Sequence, residues 1–425
     1  MNQLPLLAGH APDAPLAWHR GRMVTAREFE AATAALAARL PRKGYAVNLC
    51  EDRYAFMLTF AACLLARQTT LLPPSRAPQA IDDACQGLDA YRLSDDDALA
   101  GDGAHCAAPL LVEAGHIAAI VFTSGTTGRP VAHAKPWGSL VAGARSLGAH
   151  IGAAAGVVGT IPAQHMFGLE STIMLAMQNG LAIHSGRPLL PVELAEANAA
   201  VPMPRWLMTS PLHLRACVAA RQALPGLGGV ISSTMPLERE LAREAEELWG
   251  VPVLEIYGSS EAGMIAMRRS AQDEAWELCA GVELSERDGG FWVHGGHIAA
   301  PQPLADEVRR RGARHFTLHG RKTSVVKIAG KRTSLEALNA ALVRIEGVHD
   351  GVFYQREGTE RLGALVVAPG RDPRALRAAL RRYIDPAFLP RPLHLVPALP
   401  RNENGKLTRQ ALAEVLATLE TETAP

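Results

Sequence analysis

The chain reads as an α/β protein. The expected plan is a large N-terminal domain of mostly parallel sheets flanked by helices, with a small β-structured part, then a small α+β C-terminal domain. Three observations predict it. Short apolar, β-rich runs alternate with Ala- and Leu-rich helical stretches through most of the chain, the rhythm of strand–helix–strand units. After about Gly263 the pattern changes to short strands separated by turns. From Ser324 it changes again, to strand, helix, strand, strand, helix, a unit of about a hundred residues.

Taken in order, "YAVNLC" from Tyr45 is a strand, "RYAFMLTFAACLLAR" from Arg53 a helix and "TTLLPP" a strand. "HIAAIVFT" (116–123) is a buried strand, and "SLVAGARSLGAHI" is helical. The alternation continues through "VVGTIP", "GLESTIMLAMQ", "LAIHS", "RWLMTS", "PLHLRACVAARQ", "GGVISS", "LERELAREAEELWG" and "PVLEIYG". "MIAMRRS", "WELCAGVELSE" and "GGFWVHG" read as short antiparallel strands. In the last unit "SVVKIAG", "HDGVFYQRE" and "RLGALVVAP" are strands, and "SLEALNAALVRIEG" and "DPRALRAALRRYI" are helices. Ligands in sheets of this kind sit at the carboxyl ends of strands, which directs attention to the loops that follow them.

The 425 residues are 48% hydrophobic and 20% charged, with a formal net charge of +1. A soluble globular chain is expected, and the balance gives no support to a nucleic-acid partner. The six cysteines are scattered without CxxC spacing, so buried thiols are expected rather than a zinc site or a disulfide framework. No apolar run is long enough to span a bilayer, and the N-terminus lacks the pattern of a signal peptide; a cytoplasmic protein is expected. Four of the six lysines lie beyond residue 320, which points to distinct chemistry there.

Three loops carry the chemistry. "TSGTTGRP", Thr123 to Pro130, follows an apolar strand. Gly125 and Gly128 allow close backbone approach, while Ser124, Thr126 and Thr127 add hydroxyls to a row of amides, a pattern suited to anionic oxygens. The Walker pattern is excluded, because its glycines are four residues apart and followed by lysine. A plain polar turn fits the same loop taken alone. "EIYGSSEAG", Glu255 to Gly263, offers Tyr257 to stack on a base and Glu261 to hold Mg²⁺. A buried tyrosine and a capping glutamate are the alternative there. "LPRNENGKLTR", Leu399 to Arg409, carries Lys406 after a glycine on a tight turn. "RRRGAR" (309–314) is a basic cluster of the kind found in solvated turns.

In their order and spacing these motifs resemble the adenylate-forming superfamily of acyl- and aryl-CoA synthetases, peptide-synthetase adenylation domains and luciferases. "IPAQHMFG" (161–168) is similar to its aromatic/histidine motif, and "HGRKTSVVKIAGKR" (319–332) to the segment joining its two domains. The resemblance covers roughly residues 18 to 415. It implies activation of a carboxylic acid by ATP to an acyl-adenylate, then transfer to the pantetheine thiol of CoA or of an acyl carrier protein. Residues 1–320 would form the large domain, 321–323 a hinge, and 324–425 a small mobile domain.

Residue by residue, the resemblance implies that Thr123, Ser124, Gly125, Thr126, Thr127 and Gly128 clasp the β- and γ-phosphates. Tyr257 and Gly258 lie at the adenine, Ser260 bonds the α-phosphate, and Glu261 binds Mg²⁺. Asp306 and Arg321 contact the ribose. Lys406 bridges the carboxylate and the α-phosphate, and His165 sits where the acyl pocket meets the adenylate. The chain departs from the family pattern at Val131, where a second lysine is usual, at Ser233 and Thr234, which replace glycines, at Thr323 in the hinge, and in the lead-in to Asp306. These departures leave a degenerate, non-catalytic nucleotide- or acyl-adenylate-binding module as the alternative reading.

The acid is expected to be aryl or short- to medium-chain acyl. Phe167, Met174, Met177, Trp206 and Met208 are candidate lining residues, most of them equally readable as core. No aspartate stands on the pocket helix to hold an amino group, which disfavours amino acids. The short length resembles stand-alone synthetases that prime polyketide or aryl-polyene pathways. The arginines of "RRRGAR" and "RALRAALRRY" would suit an acidic carrier protein.

Overall fold

The computed structural model describes residues 2–99, 109–124, 130–287, 290–321, 325–328, 331–355, 361–402 and 405–423; at a few of these, Ser124, Pro130 and Arg321 among them, the backbone alone is described. Contacts divide the chain into two compact units, Met1–Ser285 with Trp292–Gln302, and Glu286–Phe291 with Pro303–Pro425. The division falls at Gln302, upstream of the expected boundary at 320. The hairpin of strands Asp306–Arg310 and His315–Arg321 lies between the two positions and belongs to the second unit. The hinge residues Lys322 and Thr323 lie outside the described residues.

Two large sheets dominate the first unit. In one, the order is Ala90–Leu93, Tyr45–Asn48, Thr69–Leu72, Ile117–Ser124, Pro130–Pro136. The first four strands are parallel and the last is antiparallel. That last strand was not legible as one: "PVAHAKP" has neither the β-branched content nor the apolar run of its neighbours. In the other sheet Val253–Ser259, Leu227–Ser232, Arg205–Thr209, Gly156–Gly159, Ala182–His184 and Pro15–His19 are parallel neighbours. Gly263–Arg268 returns antiparallel beside Val253–Ser259. The expected α/β alternation is therefore present.

Burial explains the helices. Arg239–Trp249, "RELAREAEELW", turns Leu241, Ala242 and Ala245 inward and its charges to water. They pack with Val230, Leu237 and Val253. Arg53–Leu65 is buried along nearly its whole length, as its uniformly apolar sequence requires.

Arg53 itself is 2% exposed. Its guanidinium donates to the carbonyls of Gly159 (3.1 Å), Ile161 (2.7 Å), His184 (3.4 Å) and Gly186 (2.6 Å). It thereby ties the ends of two parallel strands and the start of the loop leading to His165. Burial pushes its pKa down to about 10, far above neutral pH. Arg53→Met is expected to cost about 3 kcal/mol, because several buried carbonyls lose a charged donor together; urea unfolding followed by circular dichroism measures it.

The second unit follows the expected order, with strands Asp350–Gln355, Leu362–Val367 and Leu393–Leu395 forming one sheet. Helices Leu335–Val343 and Pro373–Leu380 supply Leu338, Leu342, Leu376 and Leu380 to a core with Phe353. A further helix, Arg409–Thr423, follows the Lys406 turn. Cys50, Cys63, Cys217 and Cys279 are buried free thiols. Among the described residues no helix is long and apolar enough to cross a membrane.

Candidate active site

In the first unit two of the three chemical loops converge. Strand Ile117–Ser124 leads into the glycine-hydroxyl loop, and Pro130–Pro136 leads out of it, with Thr123 opposite Val131. Gly125, Thr126, Thr127 and Gly128 lie outside the described residues, and Ser124 is described by its backbone only. Side chains alternate faces along a strand, so Val131, His133 and Lys135 share one. Val131 is exposed, whereas Lys135 is 6% exposed. His133 Nε2 lies 3.0 Å from the Thr123 hydroxyl and 3.5 Å from a carboxylate oxygen of Glu261. Lys135 Nζ donates to the Glu261 carbonyl at 2.5 Å. The phosphate-loop strands and the acidic loop are therefore joined through two side chains that the sequence reading passed over.

Glu261 stands in the turn between strands Val253–Ser259 and Gly263–Arg268. Ser259 Oγ accepts the Ala262 N–H at 3.1 Å and closes the turn. Ser260 is half-buried in the same turn. Gly258 lies at an irregularity in the register beside Tyr257. The Tyr257 ring is 5.6 Å from that of Trp276, tilted by 55°, and the Arg268 guanidinium lies 4.3 Å over Trp276. Glu255, 3% exposed, holds this platform: it accepts from Arg268 (2.7 Å), Ser270 (2.6 Å) and the Leu237 N–H (2.8 Å).

A half-exposed carboxylate beside a hydroxyl is a fitting place for a hard cation. Among the described residues no group of three or more His, Cys, Asp or Glu could hold a metal alone. Mg²⁺, which keeps several waters and takes phosphate oxygens, is a hard cation of this kind.

His165 caps the short helix Met166–Gly168, its Nδ1 accepting the Phe167 N–H at 3.3 Å. An accepting Nδ1 leaves the proton of the neutral ring on Nε2. The next turns form a π-helix, Leu169–Met174. Here the Ser171 and Thr172 hydroxyls donate to the carbonyls of Phe167 (2.6 Å) and Gly168 (2.5 Å). Widened turns of this type recur at functional sites. Beside them lies a cavity of about 70 Å³, with Leu140, Met166, Ala262, Ala299 and Ala300 as apolar walls and Lys135, Glu170, Glu261 and His297 as polar ones. Phe167, Met174, Met177, Trp206 and Met208 are buried and lie outside the lining of this cavity. The pocket helix does carry an acid, Glu170, which the search for an aspartate missed; its being the one charge in an apolar helix was the available signal.

Burial pushes the Glu170 carboxyl up to about 7, opposed by the Lys135 ammonium and the Met264 backbone. Burial also lowers the Lys135 pKa, opposed by Glu170 and Glu261. Burial lowers His133, opposed by Glu261, and it lowers His297 as well. Lys135 thus lies between the acidic side chains of Glu170 and Glu261.

Thr234, at the carboxyl end of strand Leu227–Ser232, has φ +80°. That is a costly conformation for a β-branched residue, and its buried hydroxyl has no hydrogen-bond partner. It occupies one of the positions where the family pattern has glycine. Thr234→Gly is expected to stabilise the fold by about 1 kcal/mol, relief of strain exceeding the added chain entropy; scanning calorimetry tests the sign.

In the second unit Asp306 and Arg321 are direct partners across the antiparallel hairpin, so the two residues expected at the ribose stand side by side on the backbone. Lys406 is exposed on a turn closed by Asn402. Asn402 Oδ1 accepts the Lys406 N–H at 2.9 Å, and the Asn402 N–H donates to the Lys406 carbonyl at 2.8 Å.

Comparison with known proteins decides the family. Residues 80–285 match the AMP-binding enzyme family. A 4-coumarate–CoA ligase of Rhodobacter capsulatus is 32% identical over 297 residues, 68% of this chain and 74% of that protein. The chain belongs to the AMP-binding enzyme family. A second 4-coumarate–CoA ligase, from Halorhodospira halophila, is 28% identical over 314 residues, 69% of this chain and 75% of the relative. In fold, this AMP-binding enzyme resembles the o-succinylbenzoate CoA synthetase (MenE) of Bacillus subtilis in complex with the acyl-adenylate intermediate OSB-AMP. The TM-score is 0.83 at 16% identity, covering 97% of this chain and 98% of that one.

Proposed function

We propose that this chain is an acid–thiol ligase that activates an aromatic carboxylic acid with ATP. The carboxylate attacks the α-phosphate, giving an acyl-adenylate and pyrophosphate; the thiol of CoA then displaces AMP and forms a thioester. The observation that carries this reading is the junction of Thr123, His133, Lys135 and Glu261 beside a cavity of mixed polar and apolar lining. It supports the reading because the strands that flank the glycine-hydroxyl loop meet the Glu261 carboxylate beside that cavity. The named substrates of the relatives, 4-coumarate and o-succinylbenzoate, support an aromatic acid.

Within this reading the loop from Thr123 to Gly128 wraps the β- and γ-phosphates, and Ser260 takes the α-phosphate. Tyr257, with the buried Trp276 behind it, offers a face to adenine. Asp306 and Arg321 contact the ribose, His165 orients the reacting carboxylate, and Lys406 supplies positive charge to the forming bond. Mg²⁺ held by Glu261 would neutralise phosphate charge. Acid-dependent pyrophosphate release across aryl and aliphatic acids, with mass detection of the thioester, tests the proposal. Absence of release with every acid in the panel favours the non-catalytic binding module.

For the acceptor, the exposed Arg309, Arg311, Arg374, Arg381 and Arg382 of the second unit also suit an acidic acyl carrier protein, since complementary charge speeds docking. Turnover with carrier protein that falls steeply with salt supports that acceptor; equal turnover with free CoA counts against it.

A further inference from the structure

Strand Pro130–Pro136 sets Val131, His133 and Lys135 on one face. Val131 stands exposed at the loop end, and the other two side chains both reach Glu261. Lys135 Nζ holds the Glu261 carbonyl at 2.5 Å, while His133 Nε2 stands 3.5 Å from the carboxylate. One strand face therefore grips Glu261 at its backbone and at its side chain. The same His133 Nε2 lies 3.0 Å from the Thr123 hydroxyl. In the ladder His133 faces Val121, and Val131 faces Thr123. The contact from His133 to Thr123 is thus a diagonal one, within reach of a long side chain.

A single nitrogen meets a hydroxyl and a carboxylate, and the chemistry of those groups fixes where its proton lies. A lone pair on Nε2 would point at the Glu261 carboxylate, which has only lone pairs to offer. Nε2 therefore carries the proton, whether the ring is neutral or charged. The Thr123 hydroxyl then accepts from it and keeps its own proton to give. Thr123 stands where its strand enters the glycine-hydroxyl loop, and an anionic oxygen is the acceptor that suits such a loop.

We infer that His133 is a positioning residue for the phosphates of ATP. Its one N–H turns the Thr123 hydroxyl into a donor toward them and steadies the Glu261 carboxylate for the cation that accompanies them. The role rests on the proposed activation by ATP. It requires no charge on the imidazole and no contact between His133 and the nucleotide. An apolar side chain in its place would leave the hydroxyl to rotate and the carboxylate without this donor.

The test is calorimetric binding of ATP with Mg²⁺, read beside kcat and the KM for ATP in pyrophosphate release. His133→Leu is expected to weaken MgATP binding about tenfold, the effect of one well-placed hydrogen bond. KM should rise by the same factor with kcat within about threefold of wild type, the mark of lost binding rather than lost chemistry. His133→Gln, whose amide N–H reaches about as far as Nε2, should bind within about threefold of wild type. Thr123→Val should cost about tenfold in the wild-type chain and little more on top of His133→Leu, because the two groups act as a unit. Thermal melts show which variants are folded. Should His133→Leu not fold, His133→Asn takes its place, since its shorter amide cannot reach both oxygens. Wild-type binding in His133→Leu overturns the inference, and so does a folded His133→Gln that binds no better than His133→Leu. Losses that add fully in the double variant, or a fall in kcat with binding unchanged, overturn it too. If wild type binds MgATP but no acid releases pyrophosphate, the activation reading fails and the calorimetric ratios alone decide the role of His133. Wild type that binds no MgATP overturns both.

Discussion

Lys406→Ala is expected to lower acid-dependent pyrophosphate release by a factor of about 10² to 10³. A charge aimed at the developing transition state is worth about 3 to 4 kcal/mol in comparable electrostatic sites, and each 1.4 kcal/mol is about tenfold in rate. Folding should be nearly unaffected, because the side chain is exposed and such substitutions stay within about 0.5 kcal/mol. The structure adds a second tier to this expectation. Gly405, at φ +74°, makes the turn that presents Lys406. Arg401 braces it, forming paired bonds of 2.7 Å and 2.7 Å to the Asp350 carboxylate and donating to the Gly405 carbonyl at 3.1 Å. Arg401→Met should therefore reduce kcat about tenfold with Lys406 still present, by loosening the turn rather than removing the charge. Rates in Lys406→Ala equal to wild type would remove Lys406 from the reaction. A lost rate in Arg401→Met accompanied by an unfolded second unit would reduce Arg401 to a structural brace.

Much of this arrangement was legible in the sequence, and the rest fails for identifiable reasons. The parallel strands announce themselves as Val-, Ile- and Leu-rich runs, and the loops at their ends carry glycine, hydroxyls and a carboxylate in a recognisable order. Strand Pro130–Pro136 did not announce itself, because two prolines, two alanines, a histidine and a lysine leave Val131 as its one strong strand former. Its identity comes from pairing with Ile117–Ser124, a tertiary effect. With the strand unseen, His133 and Lys135 could not be assigned to one face, nor could their meeting with Glu261 be read. The π-helix is hidden too, since "LESTIM" has the composition of an ordinary helix. Asp306 and Arg321 were found separately by resemblance, and only the hairpin register makes them neighbours.

The same register answers the question posed by Val131. A lysine is usual there, and here the side chain is an exposed valine. The basic group on that strand face is Lys135, two pleats further along and roughly 13 Å away at the rise of an extended strand. At that distance it serves a different function: it holds the Glu261 carbonyl and faces Glu170, so its charge organises the carboxylate loop and the cavity wall. Any direct charge on the phosphates must come from elsewhere, and Arg129, outside the described residues, and Lys406 are the cations the motifs supply.

Glu170→Gln is expected to change how stability depends on pH, with the sign fixed by the folded and unfolded proton affinities. In the unfolded chain the carboxyl ionises near its ordinary 4.5, and in the folded protein near about 7. Between these values the folded state retains a proton that the unfolded state has released, so this group's contribution falls as pH rises. It is fully present below 4.5 and lost once pH passes about 7. The gap amounts to about 3 kcal/mol. Glutamine cannot ionise, so the urea midpoint of Glu170→Gln should gain on wild type from about pH 5 to about pH 7 and then level off. Lys135 and His297 are the titratable groups that face Glu170 across the cavity. His297 is held below its ordinary range by burial, so it is neutral over most of this span. Lys135→Met should act in the opposite sense to Glu170→Gln. Without the ammonium the carboxyl is driven further up, and the loss of stability extends to higher pH. Parallel pH profiles for wild type and Glu170→Gln would mean that the Glu170 carboxyl is hydrated in solution and keeps its ordinary proton affinity in the folded protein.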